Sequence, residues 1–341
     1  MKKKRIITLR DLAQKLDLST STVSRALNNH PDISKLTKDK VKELADELNY
    51  TPNIFAKGFR QHKSRTIGVI VPNISHHYTS TIIKGILKES NVKGYIVIVT
   101  ECNNDFVKQT DLLQTMIKFG VDGILMSVSK MTQNVDDILK TLHNVPIVLF
   151  DKVQDKIPCT QILINEEEAT FKVVEHLIST NKRRIAIIKE TASSITSEKR
   201  YAGYLKALRK YNLPIDENII LSTEDINVLE GEKMTTTLLD LDNRPDAIIA
   251  ITDLAAIGAI KTLKKNNIKI PEEVAVVGFS NSLSSTIIEP NLTTVDQPGQ
   301  RIGKIAITYL IEEIENESSD IVNKTIEIKT NLIIRGSTIK N

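Results

Sequence analysis

Two successive sets of short apolar runs constrain the fold of this 341-residue chain more than any other feature. The first set occupies residues 66–72, 95–100, 122–127 and 146–150, and the second occupies residues 184–188, 218–221, 246–252 and 274–278. Because the runs are rich in Val and Ile and are almost continuously apolar, they are typical of strands buried on both faces of a parallel sheet. Between them, apolar residues recur at the helical period of about 3.6 residues, as in 82–91, 167–179, 197–211 and 301–315. The sequence therefore predicts two α/β lobes with parallel sheets and helices on both faces.

The first fifty residues have a different pattern, that of three short amphipathic helices. Thr8 is a suitable N-cap for the first helix, and Asp11 stands three residues later, close to the pattern of a capping box. A second helix is predicted from the cap residue Ser19 to Asn28, and a third from a cap at Thr37. Two short helices joined by a tight turn and braced by a third predict a small all-α helix-turn-helix unit.

The outward face of the second predicted helix has the chemistry of a DNA-reading surface. Thr20, Ser21 and Ser24 are small enough to approach phosphates and base edges, and the planar fork of Arg25 can donate to guanine O6 and N7 together. Residues 1–63 also hold 14 Lys and Arg against 7 Asp and Glu, whereas the rest of the chain holds 32 against 35. A three-helix cap without a DNA role and a solvated basic tail are the two alternatives to DNA binding.

Two ungapped segments of this region carry a resemblance to a known family. Residues 8–28, with the core Thr-Val-Ser-Arg-Ala-Leu-Asn, and residues 48–53, Leu-Asn-Tyr-Thr-Pro-Asn, are similar to the N-terminal signature of the LacI family of bacterial transcription regulators. The resemblance implies binding of double-stranded operator DNA. The DNA-binding residues that it implies are Thr8, Thr20, Ser21, Thr22, Arg25, Asn28, Tyr50, Asn53, Ala56, Lys57, Phe59 and Arg60.

In the LacI family, the stretch after Tyr-x-Pro-Asn forms a hinge helix on the operator, and pairs from two subunits open the minor groove. By position, the family's wedge residue, commonly Leu, falls on Phe59, with Lys57 and Arg60 beside it. Phe is also an apolar wedge, but its flat ring is expected to change the preferred central base step. Gly58 costs about 1 kcal/mol relative to Ala within a helix, which favours a hinge that is helical only on DNA. The alternative for Phe59 is a linker aromatic that packs on the core.

The resemblance continues through the rest of the chain, in segments such as 197–204, 250–258, 276–279, 292–298 and 332–337. It implies a core that is similar to periplasmic sugar-binding proteins, with a small-molecule effector, a sugar or sugar derivative, between the lobes. Ser280 and Asn281 stand where many sugar-responsive members have an Asp, so a phosphorylated or nitrogenous effector stays open. The predicted effector-binding residues are Tyr78, Asp151, Ser194, Thr196, Arg200, Asp253, Ser280 and Gln297.

Several of these residues also have a simpler explanation. Arg200 matches the family's ligand-contacting arginine, but it is alternatively a surface residue on a helix. Asp253 is alternatively the cap of the helix that follows it, and Tyr78 and Asp151 are alternatively plain loop residues. Ligands of two-lobed α/β proteins bind at the carboxyl ends of the strands, and this position favours the binding interpretation.

The expected domain boundaries are 1–50 for the helix-turn-helix headpiece, 51–63 for the hinge and 64–341 for the core. Within the core, the first lobe is expected from residues 64–163 plus 296–323, and the second from residues 164–295 plus 324–341. The chain lacks the trailing leucine heptad that makes some relatives tetramers, so a homodimer that reads a palindrome is expected. The sequence thus predicts a homodimeric repressor controlled by an effector.

Composition and motifs count against other classes of protein. Hydrophobic residues make up 40% of the chain and charged residues 26%, which predicts a folded protein and excludes a disordered one. Cys102 and Cys159 lack the spacing of a disulfide framework or a zinc site. No signal peptide and no run of 18 apolar residues is present, so a cytoplasmic protein without membrane contact is expected.

No motif for catalysis or for cofactor binding occurs in the chain. GxGxxG, GxxxxGK[ST], HExxH and GxSxG are all absent, so no enzyme activity, cofactor or metal is predicted. Two alternatives to a regulator are a small-molecule binding protein without direct DNA readout and an α/β enzyme that acts on a sugar or nucleotide. The predicted helix-turn-helix counts against the first, and the lack of catalytic motifs counts against the second.

Overall fold

The computed structural model describes residues 7–51, 64–132, 134–191, 194–316 and 322–340. The chain divides into two units, residues 1–64 and 65–341. Each unit has its own hydrophobic core. None of the helices in the described ranges is long and apolar enough to cross a lipid bilayer. The predicted hinge lies outside the described residues except for Thr51.

The first unit, called the headpiece here, contains the three helices α1 Leu9–Lys15, α2 Thr20–Leu27 and α3 Lys35–Glu47. The capping box at the start of α1 is confirmed, since Asp11 N donates to Thr8 Oγ1 at 3.3 Å and Thr8 N donates to Asp11 Oδ2 at 2.8 Å. Ser19 caps α2 as predicted, because its Oγ accepts a hydrogen bond from Thr22 N at 3.1 Å. The order and type of the predicted helices are therefore confirmed.

The start of α3 corrects one prediction. The expected cap was Thr37, but Ser34 caps the helix by accepting a hydrogen bond from Thr37 N at 3.2 Å, and α3 begins at Lys35. Ser34 has an extended backbone with ψ of 149°, which directs its hydroxyl at the amide three residues later. Thr37 already lies inside the first turn, so its side chain cannot cap the same helix.

The second unit contains twelve strands in the described ranges: β1 Thr66–Val71, β2 Ile96–Glu101, β3 Gly123–Met126, β4 Ile147–Phe150, β5 Thr160–Ile164, β6 Ile185–Glu190, β7 Ile220–Thr223, β8 Ala247–Ala250, β9 Ala275–Phe279, β10 Thr293–Asp296, β11 Thr325–Ile328 and β12 Asn331–Ile333. They form two six-stranded sheets, with orders β11-β5-β4-β3-β1-β2 and β12-β10-β9-β8-β6-β7. All pairs are parallel except β10 with β12. The predicted class, two α/β lobes with parallel sheets, is confirmed.

Nine helices of the second unit lie in the described ranges: α4 His77–Val92, α5 Phe106–Phe119, α6 Asp136–Leu142, α7 Glu166–Ser179, α8 Ile195–Lys210, α9 Val228–Leu239, α10 Asp253–Lys265, α11 Ser284–Ile287 and α12 Gly299–Glu315. Helices α4 and α12 pack together in the first lobe, and α7 packs on α8 and α9 on α10 in the second. The sheets between them are almost wholly aliphatic and buried. This arrangement leaves the carboxyl ends of the strands of both lobes free to form a site.

Each predicted strand is present, with small shifts at its ends. The strand predicted at 218–221 is displaced at both ends, because a 3-10 turn occupies Glu217–Ile219 and β7 begins at Ile220. Strands β5, β10, β11 and β12 were not predicted as strands. They are three to five residues long and mix polar with apolar residues, so the run of apolar side chains that identifies a buried strand is missing.

The chain passes between the two lobes three times. The first two crossings follow β5 and β10, next to the expected boundaries at 163/164 and 295/296. The third crossing was expected at 323/324, but β11 pairs in parallel with β5, with Thr325 opposite Gln161. Residues 325–328 therefore belong to the first lobe, and the third crossing lies between Ile328 and Asn331. The backbone hydrogen bonds of β11 are the physical reason for the later boundary.

Candidate functional site

The outward face of α2 is the candidate DNA-contacting surface of the headpiece. Val23 and Ala26 are fully buried against α1 and α3, which directs the opposite side of the helix to the exterior. The predicted residues on the outward side are Thr20, Ser21, Arg25 and Asn28, all exposed, and Thr22, which is half-buried. The structure thus places four of the predicted residues in α2 and the fifth, Asn28, at its C-cap, on the side of the helix away from the core.

Local hydrogen bonds order the hydroxyl groups of this surface. Ser19 Oγ lies 2.7 Å from Ser21 Oγ and 2.8 Å from Thr22 Oγ1. Exposed Thr8, at the start of α1, donates from Oγ1 to Asp11 Oδ2 at 2.7 Å. Ordered hydroxyls at helix N-termini suit phosphate contacts, which fix register without reading sequence.

The end of the headpiece carries the last described member of the predicted set. Tyr50 is half-buried against the core of the three helices, and burial raises the pKa of its phenol. Its backbone amide donates to Ala45 O at 2.8 Å and so closes the end of α3. The other predicted DNA-binding residues lie outside the described residues, namely Asn53, Ala56, Lys57, Phe59 and Arg60.

A cavity of about 460 Å³, called the cleft here, lies between the two lobes at the carboxyl ends of their strands. It is lined by seven of the eight predicted effector-binding residues: Tyr78, Asp151, Thr196, Arg200, Asp253, Ser280 and Gln297. The eighth, Ser194, is buried at the start of α8 and does not line the cavity. Residues that are far apart in sequence therefore meet here.

Arg200 is at the centre of a buried ion pair. Its Nε donates to Glu166 Oε2 at 2.6 Å and its Nη2 donates to Glu166 Oε1 at 3.2 Å, while Nη1 donates to Ile251 O at 2.5 Å. The guanidinium also lies 3.7 Å from the centre of the Phe279 ring. Burial alone would lower the pKa of Arg200, but the Glu166 carboxylate outweighs it and the pKa is raised. Arg200 is thus a buried cleft residue and not a surface arginine.

A close approach of α7 and α8 brings the two residues of this ion pair together. A Cβ atom at Gly203, one turn after Arg200, would lie 2.1 Å from Glu167 O. Only glycine permits the first turn of α7 to come so near to α8. Because Glu166 is the first residue of α7, this contact brings its carboxylate to the Arg200 fork.

Asp151 contributes a carboxylate to the first-lobe side of the cleft. It follows β4 directly and has a left-handed backbone with φ of 61°. Burial raises the pKa of Asp151 to about 6, although neighbouring Lys152 opposes the shift. Ser127 Oγ donates to Asp151 Oδ2 at 3.4 Å. Asp151 is therefore a carboxyl group with few partners of its own.

Asp253 lines the cleft but its carboxylate is already used within the protein. Asp253 Oδ2 accepts from Ser282 N at 2.6 Å, and Oδ1 accepts from Thr294 Oγ1 at 2.5 Å. The cap of α10 is Thr252, whose Oγ1 accepts from Ala255 N at 3.3 Å. Asp253 thus anchors the loop after β9, and the alternative role as a helix cap belongs to Thr252.

Residues 280–282 form the loop after β9 that faces the cleft. Ser280 and Asn281 have positive φ angles of 115° and 47°. Asn281 Nδ2 donates to Asp296 Oδ1 at 2.9 Å, and Asn281 Oδ1 accepts from Arg335 Nη2 at 2.7 Å. Both ends of the Asn281 amide are therefore engaged, and this side chain positions the loop.

Three buried side-chain atoms in the described part of the chain have no hydrogen-bond partner, and all three line the cleft: Tyr78 OH, Ser282 Oγ and Gln297 Nε2. Ser280 Oγ donates to Gln297 Oε1 at 2.9 Å, which fixes the amide and leaves its Nε2 unpaired. Buried polar groups normally have partners, because an unpaired one costs about 1–3 kcal/mol. These three groups are therefore the strongest indication that a polar ligand completes the cleft.

One side chain that the sequence did not single out bridges the two lobes. Lys130, after β3 in the first lobe, donates from Nζ to Glu190 Oε1 at 3.2 Å and to Glu224 O at 2.5 Å in the second lobe. Although burial opposes it, the hydrogen bond from Ser194 and the charges of Lys152 and Lys130 lower the pKa of Glu190. Glu190 is the last residue of β6, so its strand-end position was a signal for the site.

In the described ranges no three His, Cys, Asp or Glu side chains are grouped as for a metal ion. His76 and His77 line the cleft near Lys130 and Lys152. Burial, followed by the charge of Lys152, lowers the pKa of His76. Both effects favour the uncharged form of the His76 imidazole.

A helix-turn-helix unit on the same chain as a two-lobed core with a polar cleft defines a class of protein, the ligand-responsive DNA-binding regulators. Comparison with protein families assigns both parts. Residues 8–53 match the family of bacterial regulatory proteins of lacI type, and residues 174–338 match the periplasmic binding protein-like domain. The chain belongs to the LacI family, and is a DNA-binding transcriptional regulator with an effector-binding core.

Individual relatives agree with this assignment over almost the full chain. The NTD biosynthesis operon regulator NtdR of Bacillus subtilis is 36% identical, with 97% of this chain and 99% of that protein covered. The transcriptional repressor PurR of Vibrio parahaemolyticus is 30% identical, with coverage of 98% and 99%. A crystal structure of the lac repressor dimer bound to operator and the anti-inducer ONPF has a TM-score of 0.84 at 25% identity, with coverage of 98% and 100%. These relatives are transcriptional regulators and not enzymes.

Proposed function

We propose that the protein is a homodimeric repressor that binds a palindromic operator and is controlled by a small polar effector, a sugar or sugar derivative, in the cleft. The observation that carries the proposal is the set of three unpartnered polar groups in the cleft of a chain that also exposes a DNA-reading helix. Because operator DNA is the target, we place the protein in the cytoplasm. Its action requires binding only and no turnover of the effector.

The proposed DNA contacts divide into two kinds. Arg25 reads a base edge in the major groove, while Thr8, Ser21 and Thr22 contact phosphates through ordered hydroxyls and fix the register. In the hinge we propose that Phe59 is the minor-groove wedge, as the family resemblance implies. Two headpieces related by a dyad then read two half-sites with additive energy.

An apolar patch on the second lobe supports the homodimer. Leu254 at the start of α10 is 43% exposed, Leu283 before α11 is 70% exposed and Ile287 at the end of α11 is 72% exposed. Helices α10 and α11 pack against each other, and Leu254 and Leu283 also line the cleft, so the patch adjoins the cleft. We propose that a second copy of this chain covers the patch, as the solved lac repressor is a dimer on its operator.

The proposed control depends on contacts that the effector makes with both lobes. Tyr78 and Asp151 lie on the first-lobe side of the cleft, and Arg200 and Ser282 on the second. Gln297 lies on the second crossing between the lobes. An effector that binds better to one arrangement of the lobes shifts the dimer toward it, and only this difference in affinity changes operator binding.

Selection of binding sites from a random DNA pool by the purified protein tests the proposal. We expect enrichment of a palindrome with half-sites about one helical turn apart. Ser21→Glu is the negative control, because it places a carboxylate against the phosphates at an exposed position outside the core. No enrichment, with or without added cell metabolites, would contradict the proposal. The selected site then serves to screen sugars and sugar derivatives for release or strengthening of binding.

A further inference from the structure

Arg200, which would otherwise be the natural anion-binding group of the cleft, already has a carboxylate as its counter-ion. Its Nε and Nη2 bind both oxygens of Glu166, and its Nη1 binds the Ile251 carbonyl. Arg200 and Glu166 are 8% and 4% exposed, so both charges are withdrawn from water. A carboxylate or phosphate that reached the remaining N–H groups of Arg200 would have to share this counter-ion with the buried Glu166 carboxylate, and the repulsion between the two negative charges would oppose its binding.

Carboxylates outnumber cations among the charged side chains of the cleft. Its lining contains the three cations Lys130, Lys152 and Arg200 and the four carboxylates Asp151, Glu190, Asp225 and Asp253, and Glu166 behind Arg200 is a fifth. Lys130 is paired with Glu190. The carboxylates therefore exceed the cations by two around the cavity, and the unpartnered groups there are a phenol, a hydroxyl and an amide.

We propose that Glu166 is a specificity-determining residue, which acts as the internal counter-ion of Arg200 and excludes anions, so that the effector is an uncharged or cationic polar molecule. The inference rests on the proposed function in one respect, that the cleft binds the effector. It narrows the effector class by removing phosphorylated and acidic molecules. The balance of charge, the pairing of Arg200 with Glu166 and the neutral unpartnered groups all favour the same exclusion.

The matched variants for the test are Glu166→Gln and Glu168→Gln, both in the first turn of α7. Gln at position 166 keeps an acceptor for Arg200 but removes the charge that competes with an anion. Glu168 is exposed, and its carboxylate pairs with Lys172 on the surface. Removal of this carboxylate is therefore not expected to change the charge of the cleft. The paired variant Glu166→Gln with Arg200→Gln removes both charges and reports whether any gained binding depends on Arg200.

The probe is inorganic phosphate, titrated by calorimetry and by thermal melting at constant ionic strength. We expect no saturable binding to the wild-type protein or to Glu168→Gln, at least tenfold tighter saturable binding to Glu166→Gln, and loss of that gain in the paired variant. If Glu166 only stabilised α7, Glu166→Gln would lower the stability of the protein without this gain of phosphate binding. Unchanged phosphate affinity in Glu166→Gln would overturn the proposal.

The wild-type protein provides a second measurement that does not depend on the folding of a variant. Glucose, glucosamine, glucose 6-phosphate and glucuronate have related rings and different charges, and are titrated beside phosphate. Tighter binding of either acidic sugar than of glucose and glucosamine, or saturable binding of phosphate, would overturn the proposal. Exclusion of all three anions by the wild-type protein supports it. Operator selection is read separately, so a failure of DNA binding does not enter this result.

Discussion

In the headpiece, outward-facing polar side chains bind partners two to four residues away, whereas the side chains of Arg200, Asp253 and Asn281 in the core bind partners 15 or more residues away. Thr8 binds Asp11, and Asn28 Nδ2 donates to Ser24 O at 2.8 Å. By contrast, Arg200 binds Glu166 at a separation of 34 residues, and Asn281 binds Arg335 at a separation of 54. The headpiece surface is therefore specified by a short stretch of sequence, and the cleft only by the assembled fold.

The largest effect is expected where a long-range contact of the cleft is broken. Arg200→Ala leaves the Glu166 carboxylate buried without a partner and should lower the free energy of unfolding of the second unit by about 3–5 kcal/mol. Chemical denaturation of the full chain measures this. Lys206→Ala is the control, since Lys206 is on the same helix and pairs with Glu167 at an exposed position. Loss of this exposed ion pair should lower the free energy of unfolding by less than about 1 kcal/mol. Equal losses of stability in Arg200→Ala and Lys206→Ala would contradict the contrast between long-range cleft contacts and local surface contacts.

The same contrast explains how far the sequence predicts this molecule. The headpiece helices, their first two caps and the outward face of α2 follow from capping residues and apolar period within short windows. The family resemblance and the positions at strand ends together predicted seven of the residues that line the cleft. The hydrogen bonds that decide their roles were not predictable, because Glu166, Ser282 and Lys130 come close to them only after both sheets have formed.

The boundary at 323/324 was wrong for a related reason. Residues 325–328 have no continuous apolar run, and their place in the first sheet depends on pairing with β5, more than 150 residues earlier. A window of local sequence cannot contain that partner. Short edge strands are thus the part of the fold for which sequence pattern is weakest.

The second prediction concerns the local character of the headpiece. Leu12 is fully buried in a core that contains headpiece residues alone. Leu12→Ala should therefore lower the stability of this unit by about 2–5 kcal/mol and abolish operator binding, while effector binding in the cleft is unchanged. Gel-shift and calorimetric titrations of one preparation measure both. Leu36→Ala, at a position 68% exposed, is the control, and loss of effector binding in Leu12→Ala would contradict the independence of the two units.

The third prediction uses the pH dependence of the cleft. The folded protein raises the pKa of Asp151 to about 6, above an unfolded value of about 3.9. The folded state therefore binds the proton more tightly, so the stability from this group is greatest below pH 4 and falls as pH rises to about 6. Asp151→Asn should lack this fall, and relative to wild type it should gain up to about 3 kcal/mol across that interval. Urea denaturation at a series of pH values measures the difference.

Asp155→Asn is the control for the pH series, because Asp155 is exposed on the loop that follows Asp151. The stability of the Asp155→Asn variant should change in parallel with that of the wild-type protein at every pH. If Asp151→Asn also runs parallel to the wild type, the Asp151 carboxyl is not withdrawn from water. The cleft would then resemble the headpiece surface, and this part of the contrast would be lost.

The smallest effect is expected for a substitution on the exposed surface of α2, which should change recognition of the operator and not the stability of the protein. Arg25 is exposed and lies outside the headpiece core, so Arg25→Ala should leave the melting temperature unchanged. It should cost about 1–3 kcal/mol at one base position of the operator and relax the preference there. Site selection with the variant measures this, and Lys42→Ala on the exposed side of α3 is the control. A uniform loss over all sequences would make Arg25 a phosphate contact, and base reading would then belong to the short hydroxyl side chains of the same helix.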